Sequence, residues 1–307
     1  MYYFIVNPGS RTGEAKKLWA ELEKRLKESK TDYKVYFTTV QNNAEKIAKK
    51  ICTEHPEAKR IIVAGGDGTV NEAINGLTDY DSLILGYIPI GSSNDFARGL
   101  GISVDSKDII ENTVRPKRLI RVDHCQVTSS DGKIVRKFAV SSGMGYDADI
   151  CEKSLHSRLK KFLNLIGIGK LVYYLIGFIL IFTSKPAPAT IIIDGRRKYK
   201  YKKFLFAANM NTRYEGGGMP MAPAANPYDG MITACIVHDM PKLKHLWLMT
   251  KIIKGNHVNY KGVEQITAKT IEIETDRPFT IHTDGEVVGK SDHVTFSCLP
   301  QKVRMMI

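Results

Sequence analysis

"IIVAGGDGTVNEAINGL", residues 61–77, decides how the first half of this chain is read. Ile61 to Ala64 form an uninterrupted apolar run, as expected of a strand buried on both faces of a parallel sheet. Gly65, Gly66, Asp67, Gly68 and Thr69 follow, and apolar residues then return at helical spacing. Glycines after a buried strand let the backbone turn sharply and approach a ligand closely. The helix behind them aims free N–H groups and its positive dipole end at that ligand, making an anion site. Thr69 and Glu72 match the S/T-x-x-E capping box, which fixes a helix start there. Asp67 is the odd member, because a carboxylate repels phosphate unless a cation sits between them. Mg²⁺ bridging Asp67 and phosphate oxygens resolves the contradiction.

Working outward, "FIVNPGSRTG" places Asn7, Gly9 and Ser10 after the first strand, and "GYIPIGSSNDFARGLGI" places Gly91, Ser92, Ser93 and Asn94 after another. Strand signals ("YYFIVN", "DYKVYFTT", "RIIVAGG", "LILGYIPIG") alternate with helix signals, among them "EAKKLWAELEKRLKE" with Leu18, Leu22 and Leu26 on one face. The pattern predicts a doubly wound α/β domain over residues 1–122. Its loops would converge along the carboxyl edge of the sheet, where α/β folds bind ligands. There is no Walker G-x-x-x-x-G-K-[ST] and no H-R-D or D-F-G set, so phosphates would be held without a P-loop lysine.

From Asp123 the texture changes to strand-like runs such as "RVDHCQVT", "RKFAVSS", "TIIIDG", "YKKFLFAANM", "MITACIVH", "KTIEIET", "FTIHTDGE" and "HVTFSCL". Asp131-Gly132, Asp194-Gly195 and Asp284-Gly285 separate alternating runs and predict hairpins. A helical insert, roughly 152 to 183, interrupts them. The expectation is an antiparallel β-sandwich over residues 123–293, with 294–307 as a segment that could complete the first domain.

Lys and Arg outnumber Asp and Glu by 45 to 32, a formal charge of +13 that suits a polyanionic partner. The five cysteines form no CxxC pair and no zinc-type spacing, which fits a reducing cytoplasm. "MYYFIVNPGS" lacks the basic and apolar regions of a signal peptide. The longest apolar run, Leu171 to Thr183, is shorter than the roughly 20 residues a membrane span requires.

Five stretches in order, "GGDGTVNEAINGL", "PIGSSNDFARGLGI", "GMGYDADI", "GGGMPMAPAANPYDG" and "HTDGE", resemble the soluble bacterial diacylglycerol kinase and lipid kinase family, related to sphingosine kinases and NAD kinases. The resemblance implies ATP held at Asn7, Ser10, Thr38, Gly65, Gly66, Gly68, Thr69, Glu72 and Ser92, in a cleft between the two domains. Ser92 stands where the family usually has Thr. It implies that Asp67 serves the catalytic Mg²⁺, with Asp123 in the same water-and-metal network. Asp284 would take the acceptor proton, with Glu286 on the same side of an extended strand. On spacing alone Asp284 reads as a hairpin turn residue, and it is the resemblance that reverses this. A structural Mg²⁺ would sit on the Asp229 side chain and the carbonyls of Asn226 and Met231, although Tyr228 replaces an acidic residue common there.

The expected reaction is ATP-dependent phosphorylation of a lipid hydroxyl, most naturally diacylglycerol to phosphatidic acid. The alternatives are another lipid alcohol (undecaprenol, a sphingoid base, phosphatidylglycerol) or a non-catalytic nucleotide or lipid sensor. The expected partner is an anionic phospholipid membrane, bound peripherally from the cytoplasm. Lys153, Arg158, Lys160 and Lys161 ahead of the apolar run either reach that surface or introduce a helix packed on the core. "RRKYKYKK" sets Lys198, Lys200 and Lys202 on one strand face, and without an RNA-binding motif no nucleic acid is expected. A homodimer is left open.

Overall fold

Strand β1 (Tyr2–Val6) is buried at every position and runs parallel to both its neighbours, β2 (Tyr33–Phe37) and β3 (Arg60–Gly65). An apolar strand of this kind needs cover on both faces. Tyr2, Phe4 and Val6 pack against Leu18, Trp19, Leu22 and Leu26 of α1 (Glu14–Glu28), and α2 (Asn43–Glu54) also packs on β1. Strand β4 (Ile84–Pro89) continues the parallel sheet, with α3 (Asp67–Gly76) after β3 and α4 (Asp95–Leu100) after β4. The full order is β2-β1-β3-β4-β15-β5. Here β15 (Val303–Met306), from the end of the chain, is parallel to β4 and antiparallel to β5 (Leu119–Val122). The computed structural model describes residues 1–10, 14–40, 43–57, 59–105, 109, 111–113, 115–155 and 171–307.

The chain divides into two units, Met1–His124 with Leu299–Ile307, and Cys125–Cys298. The second is built on a nine-stranded antiparallel sheet. Its strands are β6 (Cys125–Ser129), β7 (Val135–Phe138), β8 (Ser141–Gly145), β9 (Ala187–Ile193), β10 (Arg197–Met210), β11 (Ile232–His238), β12 (Val263–Ala268), β13 (Thr270–Thr283) and β14 (Glu286–Cys298). Helices α5 (Tyr146–Leu155), α6 (Leu171–Thr183) and α7 (Lys242–Ile252) accompany them. The early half of β10 pairs with β9 and its late half with β8, and β13 does the same. Both strands shift register between those halves, β10 around Tyr201 to Phe206 and β13 between Glu274 and Phe279. Such bulges bend a strand, so the sheet folds over in a sandwich-like way on Phe138, Ile191, Phe204, Ile273, Ile281 and Phe296. Each such side chain, fully buried, contributes about 1.5–3 kcal/mol. A second core, with Leu180, Ile181, Leu205, Phe206, Leu248 and Ile252, lies under α6 and α7.

Asp194-Gly195 and Asp284-Gly285 are tight turns with positive φ at both residues, as Asp-Gly predicts, whereas at Asp131-Gly132 only the glycine is left-handed. Other expectations need correction. "RVDHCQVT" breaks at Asp123-His124, so its halves serve different sheets, and "KTIEIET" and "FTIHTDGE" are one strand, β13. The helical insert begins at Tyr146 rather than 152. Arg158, Lys160 and Lys161 lie outside the described residues. Among the described residues, no helix is long and apolar enough to cross a membrane.

Candidate active site

In the first unit, the ends of β1, β3 and β4 bring their loops into direct contact. A Cβ on Gly91 would lie 2.4 Å from the Gly66 Cα, so these two backbones touch only because neither carries a side chain. Asn94, in the left-handed region, accepts a hydrogen bond from Gly91 N–H at 2.8 Å and donates to Pro89 O at 3.2 Å. Asp67 reaches across to the next helix. Its two carboxylate oxygens accept the N–H groups of Asp95 and Phe96, each at 3.0 Å, capping α4. Asn7 Nδ2 donates to Thr69 Oγ1 at 3.2 Å while its Oδ1 accepts Gly9 N–H, and Ser10 N–H donates to Asn7 O. Thr38 is buried, with its N–H on Val6 O, and Ser92 is exposed.

The capping box does not form. Helix α3 starts at Asp67, capped by Gly66 in extended conformation with no side-chain hydrogen bond. Strand β3 runs straight into the helix, which leaves Thr69 inside the first turn. Glu72 is buried and its Oε2 accepts Ala44 N–H at 3.0 Å, so it serves the start of α2. The consequence for ligands is favourable: the N-cap of α3 makes no side-chain hydrogen bond to the first-turn N–H groups. Asp123, also buried in this unit, pairs with Lys302 Nζ at 2.8 Å.

In the second unit, Asp284 occupies the left-handed first position of the β13–β14 turn, with φ of 48°. Its carboxylate accepts the N–H groups of Ala139, Val140 and Ser141 at 2.8–2.9 Å, while its own N–H donates to Ser141 O. Glu286 opens β14 beyond the turn. The two residues therefore do not share one extended strand, because the chain reverses between them. Asn226 and Asp229 sit on one exposed loop before β11, where Asp229 Oδ1 accepts Met231 N–H at 3.0 Å.

Sequence reasoning missed the residues beneath the Asp284 turn. His282 is fully buried, with Nε2 3.3 Å from Asp147 Oδ2 and 3.4 Å from Glu215 Oε1, and Ser141 Oγ donates to Glu215. A Cβ on Gly143 would collide with both His282 and Asp147. Burial alone would lower the His282 pKa. The hydrogen bond to Asp147 and the charges of Glu215, Asp147 and Asp284 outweigh it and raise the pKa to about 9. The long approach of Gly285 N–H to Nδ1, 3.3 Å, opposes this only weakly. The ligating atoms of these three residues lie within 4.8 Å of one another, as do those of Glu272, Glu274 and His293 on β13 and β14. The signal was present: His282 lies in "HTDGE", Asp147 in "GMGYDADI", and Glu215 directly precedes "GGGMP".

Also within the second unit, a pocket open to solvent lies under α6 and α7, its apolar wall including Leu205, Phe206, Met221, Leu248 and Ile252. His245 joins that wall. It is buried, neither ring nitrogen has a hydrogen-bond partner among the described residues, and burial followed by the charge of Lys242 lowers its pKa.

Residues 1–127 match the diacylglycerol kinase catalytic domain, and residues 139–307 match the YegS C-terminal NAD kinase beta sandwich-like domain. The Bacillus subtilis protein named "Putative lipid kinase YtlR" is 32% identical over 292 residues, 94% of each chain. A Bacillus subtilis diacylglycerol kinase is 27% identical over 291 residues, 93% of this chain and 89% of the relative. The crystal structure of a "putative diacylglycerol kinase" from Bacillus anthracis str. Sterne superposes with a TM-score of 0.77 at 24% identity, covering 99% of this chain and 96% of that one, which shows a shared fold. Two domain matches in series and full-length similarity have one consequence: the chain belongs to the diacylglycerol kinase family of lipid kinases, phosphotransferases with an alcohol acceptor.

Proposed function

We propose that this enzyme uses ATP and Mg²⁺ to phosphorylate diacylglycerol, forming phosphatidic acid at an anionic membrane surface on the cytoplasmic side. The apolar pocket in the second unit carries the reading, because its lining suits a hydrocarbon chain while His245, Tyr146 and Asp147 give it a few polar groups for a carbonyl or hydroxyl. The loops of the first unit support the donor. The Gly66–Gly91 contact would be filled by any Cβ, and the uncapped start of α3 presents N–H groups suited to phosphate.

Asn7, Ser10, Thr38, Gly65, Gly66, Gly68, Thr69 and Ser92 would hold the nucleotide. Asp67, held by the N–H groups of α4, and Asp123 would serve the catalytic Mg²⁺. Asp229, Asn226 and Met231 would supply a second, structural cation with one carboxylate and two carbonyls, a hard-oxygen set. When bound, Mg²⁺ supplies neutralisation of phosphate charge. Asp284 would orient the acceptor hydroxyl and accept its proton late, with Glu286 beside it. Three N–H donors fix the position of the Asp284 carboxylate, and a loose transition state asks more of positioning than of basicity.

Incubation with labelled ATP, Mg²⁺ and a panel of lipid alcohols tests this reading. Labelled phosphatidic acid is expected. Labelled undecaprenyl phosphate or sphingoid phosphate instead would overturn the acceptor, and no labelled lipid from any alcohol would overturn the whole assignment.

A further inference from the structure

Helices α6 and α7 line the pocket with Ile181, Leu248, Met249 and Ile252, yet both carry a second apolar face pointing away from it. On α6, Phe178, Ile179 and Phe182 are 48%, 50% and 47% exposed, and on α7 Leu243 and Trp247 are 73% and 46% exposed. The helices are joined. Lys242 Nζ donates to Phe182 O at 2.7 Å, a Cβ on Gly177 of α6 would meet Met249 Cε at 3.0 Å, and Leu180 shares a core with Leu248. Single exposed apolar side chains are ordinary on any surface. Five large ones on two joined helices are a patch, and patches of this kind mark interaction sites.

The surrounding charge selects the occupant. Residues 171–186 and 241–263 contain no Asp or Glu, whereas Lys185, Lys242, Lys244, Lys251 and Lys254 all lie in or beside these helices. The Lys251 ammonium sits over the Trp247 ring, 4.9 Å from its centroid. A second copy of the same face would set lysine against lysine, which disfavours self-association. Exposed Phe, Leu and Trp on two helices whose only charged neighbours along the chain from 241 to 263 and 171 to 186 are lysines match a surface that sinks apolar side chains into lipid and meets anionic headgroups with its cations.

We infer that the outer face of α6 and α7 is the surface on which this protein docks to an anionic bilayer. Phe178, Ile179, Phe182, Leu243 and Trp247 enter the acyl region while the lysines meet lipid phosphates. The inference rests on the lipid-kinase reading for the reason the protein meets a membrane, and to the apolar run of α6 expected from the sequence it adds the outer face of α7.

The chain has two tryptophans, Trp19 with 9% exposure and Trp247 with 46%, so Trp19→Phe leaves Trp247 as a single reporter. Vesicles of phosphatidylcholine with phosphatidylglycerol should blue-shift its emission, and brominated acyl chains should quench it. Pure phosphatidylcholine should do neither. With the native Trp19 retained, Lys244→Glu with Lys251→Glu, or Leu243→Ser with Phe178→Ser, should weaken vesicle sedimentation by at least roughly tenfold. Phosphorylation of a short-chain, monomeric diacylglycerol should be unchanged in these variants. Sedimentation with vesicles while Trp247 stays unquenched would overturn the inference in favour of another face. A concentration-dependent dimer that Leu243→Ser dissolves would overturn it in favour of a second copy. Quenching without any lipid phosphorylation would leave the docking face standing and remove the kinase reading.

Discussion

Asp284 accepts three backbone N–H groups, so the change to Asn does more than delete a charge. An amide nitrogen cannot accept a hydrogen bond, and at least one N–H among Ala139, Val140 and Ser141 would face a donor. Leaving a buried donor unsatisfied costs about 1–3 kcal/mol. Asp284→Asn should therefore lower activity and also the melting temperature of the second unit, measured by calorimetry beside turnover. Beneath it, His282 links the turn to pH. Its raised pKa means that folding favours the protonated ring. That stabilisation is whole below the ordinary imidazole value near 6.5 and is lost as pH rises through about 9. The shift corresponds to stabilisation on the order of 3 kcal/mol. Melting of the second unit should fall across that interval in the native chain and much less in His282→Gln.

At the scale of elements, the contact between the glycine loops holds α3 and α4 in relation to each other through Asp67. Gly91→Ala would place a methyl group 2.4 Å from the Gly66 Cα and 2.8 Å from Asn94 Oδ1, and both neighbours are fixed. Nucleotide affinity, measured by calorimetric titration, should drop sharply with the first unit destabilised, whereas Ser92→Ala should change affinity without changing the melting temperature. This junction was legible in the sequence, since a buried strand, a glycine turn and a helix announce themselves locally. The partner of Glu72 was not, because a side chain that fits a capping box can equally reach another helix, and only tertiary packing sends it to α2. The cluster of Asp147, Glu215 and His282 was hidden for the same reason, its members coming from three separate stretches. Helix α7 escaped because "KLKHLWLMTKI" spreads lysine and apolar residues over both its faces, one facing the core and one exposed.

At the scale of the molecule, the last strand is an interior strand of the first sheet. Removing residues 299–307 would strip β15 from between β4 and β5 and expose the buried side chains of Val303, Met305 and Met306. It would also take Lys302 from the buried Asp123 and leave that carboxylate without this ammonium partner, a further destabilisation. The truncated chain should lose the first unit to limited proteolysis while Cys125–Cys298 resists. Proteolytic mapping would show it, and an intact, protected first unit would count against the assignment of β15 as a structural strand.

The same placement sets a timetable for biosynthesis. The residues that begin the first unit leave the ribosome early, but the strand that completes its sheet is translated only after the whole second unit. Between them stand about 170 residues of the second unit, which at roughly 5–20 residues per second take on the order of 10–40 s to translate. Throughout that interval the β4 edge, its backbone hydrogen-bonding groups unmatched, invites pairing with other nascent chains. The unit begun first cannot finish folding until the second has been made, and a ribosome stalled before β15 would release a chain with its first sheet unfinished.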